Sequence, residues 1–345
     1  MKEPLVSIIV LNYNAGKLLH NCINSIKKSN YKNFEIIVVD NISSDNSQNE
    51  CKKKFPEIKL IQNNKNFGYC EGNNIGIRNA NGEFIIILNP DTIVESTWID
   101  ELFEAYQEFG DGLYQPKILS LNENNVIQST GNMIHVFGFG FARDKGNKVV
   151  DKIEEIEKIG YASGTCLFTS REVVDKIGLL DEFLFLYHDD LDFGWRAAQI
   201  GINSYYVPKS KIFHVESYSL KWSSKKFYWL ERNRKYCLQT HYSKDTYEKM
   251  RYSLMLVDFF VWMFYFSKGF LGVKIKAELD IRKNRKLIEK RHDELENKKT
   301  VSDIELIKRF PDEIFVPTNV SQQSMNIKFN SILTKLSKKM KEKIK

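Results

Sequence analysis

Three apolar runs in the first hundred residues each stop abruptly at a polar tip: VSIIVLNYN at Val6–Asn14, EIIVVDNISSD at Glu35–Asp45 and EFIIILNPDT at Glu83–Thr92. Short unbroken apolar runs are the mark of strands buried on both faces of a parallel sheet. In a doubly wound sheet, ligands bind in the crevice at the carboxyl ends of the strands. Amide and carboxylate groups from three tips therefore face one crevice. No glycine-rich phosphate loop accompanies them, which argues against a dinucleotide or ATP site. It favours a nucleotide-sugar site in which a metal ion neutralises the diphosphate.

Helices alternate with these strands. Leu18, Leu19, Cys22, Ile23 and Ile26 share one helical face, and further helices are expected over Asp45–Phe55, Glu71–Ala80 and Thr97–Phe109, with a short strand at Lys59–Gln62. The glycines of the third helix imply that something packs closely on it. This βαβαβαβα order predicts a parallel sheet. Tyr114–Val215 is less regular, with strand candidates at Gln115–Leu119, Thr165–Thr169 and Ser204–Val207 and helices at Arg171–Ile177 and Asp190–Ile200. Beyond Lys225 the pattern changes to long basic helices, so the chain divides into residues 1–220 and a helical extension over 221–345.

Charge and composition narrow the partners. The net charge of +7 is concentrated late, with seven Lys and one Glu from Lys328 to the end. There Phe329, Ile332, Leu333, Leu336 and Met340 share one helical face opposite Lys335, Lys338, Lys339 and Lys341. Such a helix either packs on the body with its lysines in water or sets a foot on an anionic membrane. The most apolar window, Leu254–Val273, contains Asp258, Ser267 and Lys268, and its unbroken run Phe259–Phe266 is shorter than the ~20 residues a span needs. An interfacial helix, a buried helix and a spanning one remain open. No recognisable nucleic-acid module accompanies the basic charge. Five cysteines without a CxxC pair predict reduced thiols in a cytoplasmic protein, with neither disulfide nor zinc. The run Leu5–Leu11 lacks the length and cleavage site of a signal peptide.

Three elements carry chemistry. Asn89-Pro90-Asp91 follows a strand directly; it is a turn signal, and its carboxylate can also hold Mg2+ or Mn2+ against diphosphate oxygens. Asp189, Asp190 and Asp192 in YHDDLDFGWR open a helix, where acids suit the dipole and where one can serve as a general base. His214 follows as a structural hydrogen-bonding residue or a neutral imidazole ligand.

The ordered set VLNYN, VVDNISSD, NFGYCEGNNIGI, ILNPDT, SGTCLFTSREV, GLLDEFLFLYHDDLDFGWR and the later His resembles the family 2 glycosyltransferases, and within them the rhamnosyltransferase-like branch, over Pro4–Ser219. LERNR at Leu230–Arg234 and VSDIELIKRF at Val301–Phe310 resemble the extension of that branch. The resemblance implies the GT-A fold, a Rossmann-like mixed sheet flanked by helices. It implies that Asn12, Tyr13, Asp40, Asn41, Asn66, Gly68, Asn74 and Asn89 line the nucleotide-sugar site, Asp40 on the pyrimidine base and Asn89 on the ribose. It further implies that Asp91 and His214 hold the metal, that Asp190 is the catalytic base, and that Ser163, Gly164 and Asp189 face sugar or acceptor. The implied reaction is inverting transfer, possibly of rhamnose, from a dTDP- or UDP-type donor to a saccharide or lipid-linked acceptor, in polysaccharide assembly on the inner face of the cell membrane. Two other readings were open. A nucleotidyltransferase would carry a glycine-rich first loop with a basic residue, whereas VLNYNAGK has a single Gly; a non-catalytic scaffold would be free to lose Asp91 and Asp190.

Overall fold

The structure, a computed structural model, describes residues 3–150, 154–215, 223–315 and 324–344. Its strands are β1 Val6–Asn12, β2 Phe34–Asp40, β3 Lys59–Gln62, β4 Phe84–Leu88, β5 Thr92–Val94, β6 Gly112–Ser120, β7 Ile127–Ser129, β8 Asn132–Ile134, β9 Gly140–Ala142, β10 Glu157–Ile159, β11 Cys166–Ser170 and β12 Asn203–His214. The helices are α1 Lys17–Ile26, α2 Ser47–Lys54, α3 Gly68–Arg78, α4 Trp98–Phe109, α5 Arg171–Ile177, α6 Asp189–Gln199, α7 Ser224–His241, α8 Lys244–Ser267, α9 Leu271–Lys283, α10 Arg285–Lys298, α11 Asp303–Arg309 and α12 Ser324–Ile344.

One large sheet runs β10-β12-β6-β11-β4-β1-β2-β3, with β5 on β12 and β7 on β6. The first four strands are parallel, in a register that sets Asn12 opposite Asp40 and Val10 opposite Leu88. The middle of the chain then departs from the all-parallel order: β11 lies antiparallel on β4, and β12 lies parallel to β6. The sheet is therefore mixed, as the GT-A fold requires. Successive side chains alternate across it. Ile8 and Val10 enter a core with α1 and α4, while Ile9 enters the opposite core. That second core runs from Ile77 and Trp195 on to Leu238, Val257, Leu306 and Leu333, so the helical extension packs on the same face of the sheet as α3 and α6. Trp195 is fully buried; truncating such a side chain to Ala costs about 3–5 kcal/mol. The glycines of α3 meet the expectation of close packing: a Cβ at Gly76 would stand 2.3 Å from Ile9 Cγ2.

Strand β12 runs well past the expected end at Val207. Pro208 lacks the N–H a ladder needs, so the strand accommodates it at a bulge between Val207 and Lys211 and resumes to His214. Its last residue then pairs opposite Thr92 of β5.

The expected boundary at 220/221 lies outside the described residues. Within the extension, buried Lys274 binds Glu231 at 2.5 Å, Asp258 at 2.8 Å and Glu278 at 2.7 Å, tying α7, α8 and α9 together. Asp258, the charge inside the apolar window, is thus an ion-pair partner. No helix among the described residues is long and apolar enough to cross a membrane. Helix α12 turns Leu333, Met340 and Ile344 into the core. Asn330 clamps Ile314 through both its amide N–H and its carbonyl, and Ser337 donates to Asp312. The apolar face of the tail is therefore covered and is not the foot that its amphipathic pattern allowed.

Candidate active site at the strand tips

A cleft of about 800 Å3 opens at the carboxyl ends of the parallel strands. Its walls include Tyr13, Asn41, Asn66 and Gly68 on one side and Asn89, Asp91 and His214 at the β4 tip. Ser163, Gly164, Asp189 and Asp190 close it. Eleven of the residues singled out in the sequence thus share one cleft.

At the β4 tip, His214 Nε2 lies 3.2 Å from Asp91 Oδ2. Pairing of His214 with Thr92, together with the bond from Val215 N to Asp91 O, brings the two side chains together. Gln128 orients the ring: its Nε2 donates to the His214 carbonyl at 2.8 Å, so its Oε1 faces His214 Nδ1 at 2.7 Å. A carbonyl beside Nδ1 sets a proton there, and Nε2 is left facing the Asp91 carboxylate. Asp91 is buried, and its other oxygen, Oδ1, has no hydrogen-bond partner among the described residues. A carboxylate and an imidazole with hard-cation chemistry, one orphaned oxygen and a position on the cleft wall fit a divalent metal.

In the same cleft, Gly164 N donates to Asp190 Oδ2 at 3.1 Å and Leu191 N to Oδ1 at 2.9 Å. Burial pushes the Asp190 carboxyl above its ordinary value, against these two N–H donors. Burial, then the Asp190 charge, pushes Asp189 well above its ordinary range. His188 is held neutral by burial, down to about 4, and its ring faces the Gly138 carbonyl. Tyr69 donates to the Gly164 carbonyl at 2.5 Å, locking the strand-side wall.

The loop that delivers these acids is strained. Phe185, Tyr187 and His188 all have positive φ, each costing on the order of 1–3 kcal/mol. Asn233 of α7 holds them, its Nδ2 donating to the carbonyls of Leu184, Leu186 and Tyr187 at 3.0, 2.9 and 2.7 Å. Arg232 also donates to Phe183 and Leu184 carbonyls and lies over the Phe183 and Trp229 rings. Gly68 passes under this loop; a Cβ there would stand 2.5 Å from the Phe185 ring.

Three of the expected ligand residues lie beneath the cleft wall, bonded to neighbouring groups of the protein. Asn12 is fully buried; its Nδ2 donates to Asp40, Ser43 and Ser47 and its Oδ1 accepts from Ala15 N. Asp40 lies beneath the cleft surface, accepting from Asn12 Nδ2 at 2.8 Å and Ser43 N at 3.0 Å. Asn74 sits inside α3, where it bonds both the N–H and the carbonyl of Leu180. All three hold the cleft's shape. Asn41 does both jobs, lining the cleft and donating to the Gly68 carbonyl at 2.9 Å. Gln128 and Asn233 were not singled out in the sequence, because their partners lie 86 and 46–49 residues away; LERNR was the one signal that touched either.

Comparison with solved structures defines the class first. The fold matches that of GalNAc-T7 with UDP, GalNAc and Mn2+ at TM-score 0.59 and 17% identity, over 72% of this chain and 50% of that one. It matches S. aureus TarS 1–349 at TM-score 0.50 and 16% identity, over 98% of this chain and 90% of that one. These are GT-A enzymes, and at such identities they show the fold alone. The sequence profile of glycosyl transferase family 2 matches residues 7–178. A hexosyltransferase of low-salt glycan biosynthesis from Haloferax volcanii is 30% identical over 57% of this chain and 63% of its own length. An N-acetylglucosaminyl-diphospho-decaprenol L-rhamnosyltransferase from Mycobacterium tuberculosis is 23% identical over 62% and 77%. The match thus spans under two thirds of the archaeal relative. The chain belongs to glycosyl transferase family 2 and resembles its rhamnosyltransferase-like branch.

Proposed function

We propose that this chain is an inverting glycosyltransferase of glycan assembly, moving a hexosyl group from a dTDP- or UDP-type donor to a saccharide acceptor, rhamnose being the sugar to test first. The observation that carries it is that one cleft holds the Asp91–His214 pair, with Asp91 Oδ1 unpartnered among the described residues, together with a desolvated Asp190. Asp190 takes the proton of the acceptor hydroxyl as that oxygen bonds to the anomeric carbon. The bond from that carbon to the diphosphate oxygen breaks on the opposite side, so configuration inverts. Gly164 N–H and Leu191 N–H hold the carboxylate toward the acceptor, and Asn89 and Asn66 flank the donor. Asp91 and His214 would hold Mg2+ or Mn2+, which would supply positive charge to offset that of the departing diphosphate. The mycobacterial relative is named for a decaprenyl-diphosphate-linked sugar, which supports a lipid-linked acceptor and a place on the inner membrane face.

The test is a panel of nucleotide sugars with Mn2+, read by thermal shift and by NMR of the product's anomeric centre. Binding of one sugar class and an inverted product are expected. Retained configuration, or no turnover of any nucleotide sugar with any saccharide acceptor, overturns the reading.

A further inference from the structure

Helix α8 is apolar on two opposite sides. Met250, Val257, Val261 and Tyr265 are buried. Tyr252, Met255, Leu256, Phe259, Met263 and Phe266 stand 49–78% exposed. At about 100° per residue these six fall in one stripe roughly 100° wide and about 21 Å long. On α9, Ile275 and Leu279 are also exposed, at 43% and 57%. A soluble surface rarely leaves so continuous an apolar row uncovered.

The charges around it are sorted by sign. From Tyr252 to Lys283 the exposed charged residues are Lys268, Lys276, Arg282 and Lys283, all basic. The acids of the same span turn inward: Asp258 and Glu278 to Lys274 and Lys235, Asp280 to Tyr228 and Arg232. The acids that are exposed on α8, Asp245 and Glu248, lie before the stripe and pair with Lys249 and Arg251, so the apolar row itself has a basic rim that complements an anionic lipid surface. Lys276 also lines the cleft, so α9 joins this face to the cleft mouth.

We propose that the exposed α8–α9 face, and not the C-terminal tail, seats the protein on an anionic bilayer with the cleft opening along it. The purpose rests on the lipid-linked acceptor reading above; the binding itself does not require substrate. Phe259 and Phe266 enter the headgroup layer, and Lys268 and Arg282 meet lipid phosphates.

The test is co-sedimentation of the full chain with vesicles of phosphatidylcholine containing phosphatidylglycerol, and with phosphatidylcholine alone. The intact chain is expected to pellet with the anionic vesicles. Phe259→Glu with Phe266→Glu is expected to lower the partition constant at least about tenfold. Lys268→Glu with Arg282→Glu is expected to abolish the preference for anionic lipid. Calorimetric binding of UDP or dTDP with Mn2+ should be equal in intact chain and variants, which confirms folding. Absence of nucleotide binding in all of them counts against the transferase reading and leaves the vesicle result to stand by itself. Docking is overturned if the intact chain stays in the supernatant, or if the aromatic-to-glutamate variant pellets equally. It is also overturned if light scattering shows a dimer that this variant splits, since a second copy then covers the face.

Discussion

Among the described residues, two Gln–His–Asp clusters are built alike and end differently. In the core, Gln199 Nε2 donates to the His241 carbonyl, its Oε1 faces His241 Nδ1 at 3.1 Å, and His241 Nε2 faces Asp192 at 3.0 Å. In the cleft, Gln128, His214 and Asp91 repeat that arrangement. The core cluster has a resident cation, since Arg196 Nε reaches the second oxygen of Asp192 at 2.8 Å. The corresponding oxygen of Asp91 has no partner among the described residues. The core version is a closed circuit that holds α6 against α7. The cleft version has no arginine in that place among the described residues, and its carboxylate lines the cleft. Asp192, Cys237 and His241 lie close enough to hold a metal, yet Arg196 already supplies what a metal would bring.

The sharpest way to break this contrast uses two carboxylates on one helical turn. Asp190→Asn is expected to lower turnover by ~10²–10⁴. Asp192→Asn is expected to destabilise by about 3–5 kcal/mol, because Arg196 loses a buried partner. The stability signs are opposite. Asp190 is raised, so between the ordinary value near ~3.9 and its folded value the native state binds the extra proton, and stability falls as pH rises through that window. Its Asn variant should therefore be no less stable at neutral pH. Asp192 is lowered, by Arg196 and His241 against burial, so its contribution is present above the ordinary value and lost as pH falls through the folded one. Urea melts of both variants that move in the same direction break the comparison.

Next in size are the glutamines. Gln128→Leu should weaken Mn2+ binding by ~10–100-fold, as loss of a partner that orients a ligand does. Gln199→Leu should leave Mn2+ affinity unchanged and cost about 1–3 kcal/mol of stability. Calorimetric titration with Mn2+ and UDP separates them, and equal loss of Mn2+ affinity would erase the distinction. The pH profile is a finer probe: the acid limb of kcat/KM should lie above the ordinary carboxylate range because Asp190 is raised. A limb at or below that range assigns the base elsewhere.

A parallel contrast exists between covered and uncovered apolar faces. Met340→Ala on α12 should cost about 2–5 kcal/mol, since Met340 is 2% exposed. Phe259→Ser on α8, 57% exposed, should change stability by no more than about 0.5 kcal/mol. Chemical unfolding of both decides.

What the sequence revealed follows from the range of each signal. β1, β2 and β4 were legible because each is an uninterrupted apolar run with a polar stop, and Asp91, Asp190 and His214 because family motifs frame them. The end of β12 was not, since Pro208 and two lysines mask a strand that survives by bulging. Asn12 and Asp40 were legible at the strand tips, whereas their mutual hydrogen bond was not, since 28 residues separate them. The apolar window of α8 was plain, whereas which side faced inward depended on α12 and α9.

Asn233 gathers three carbonyls of the loop that carries Asp189 and Asp190, and it lies 46 residues after Tyr187. During synthesis the loop therefore emerges well before the residue that pins it. At roughly 5–20 residues per second, several seconds separate the two. A nascent chain halted between them would hold this loop unpinned. The shape of this cleft wall is thus tied to the docking of α7, the first helix of the extension.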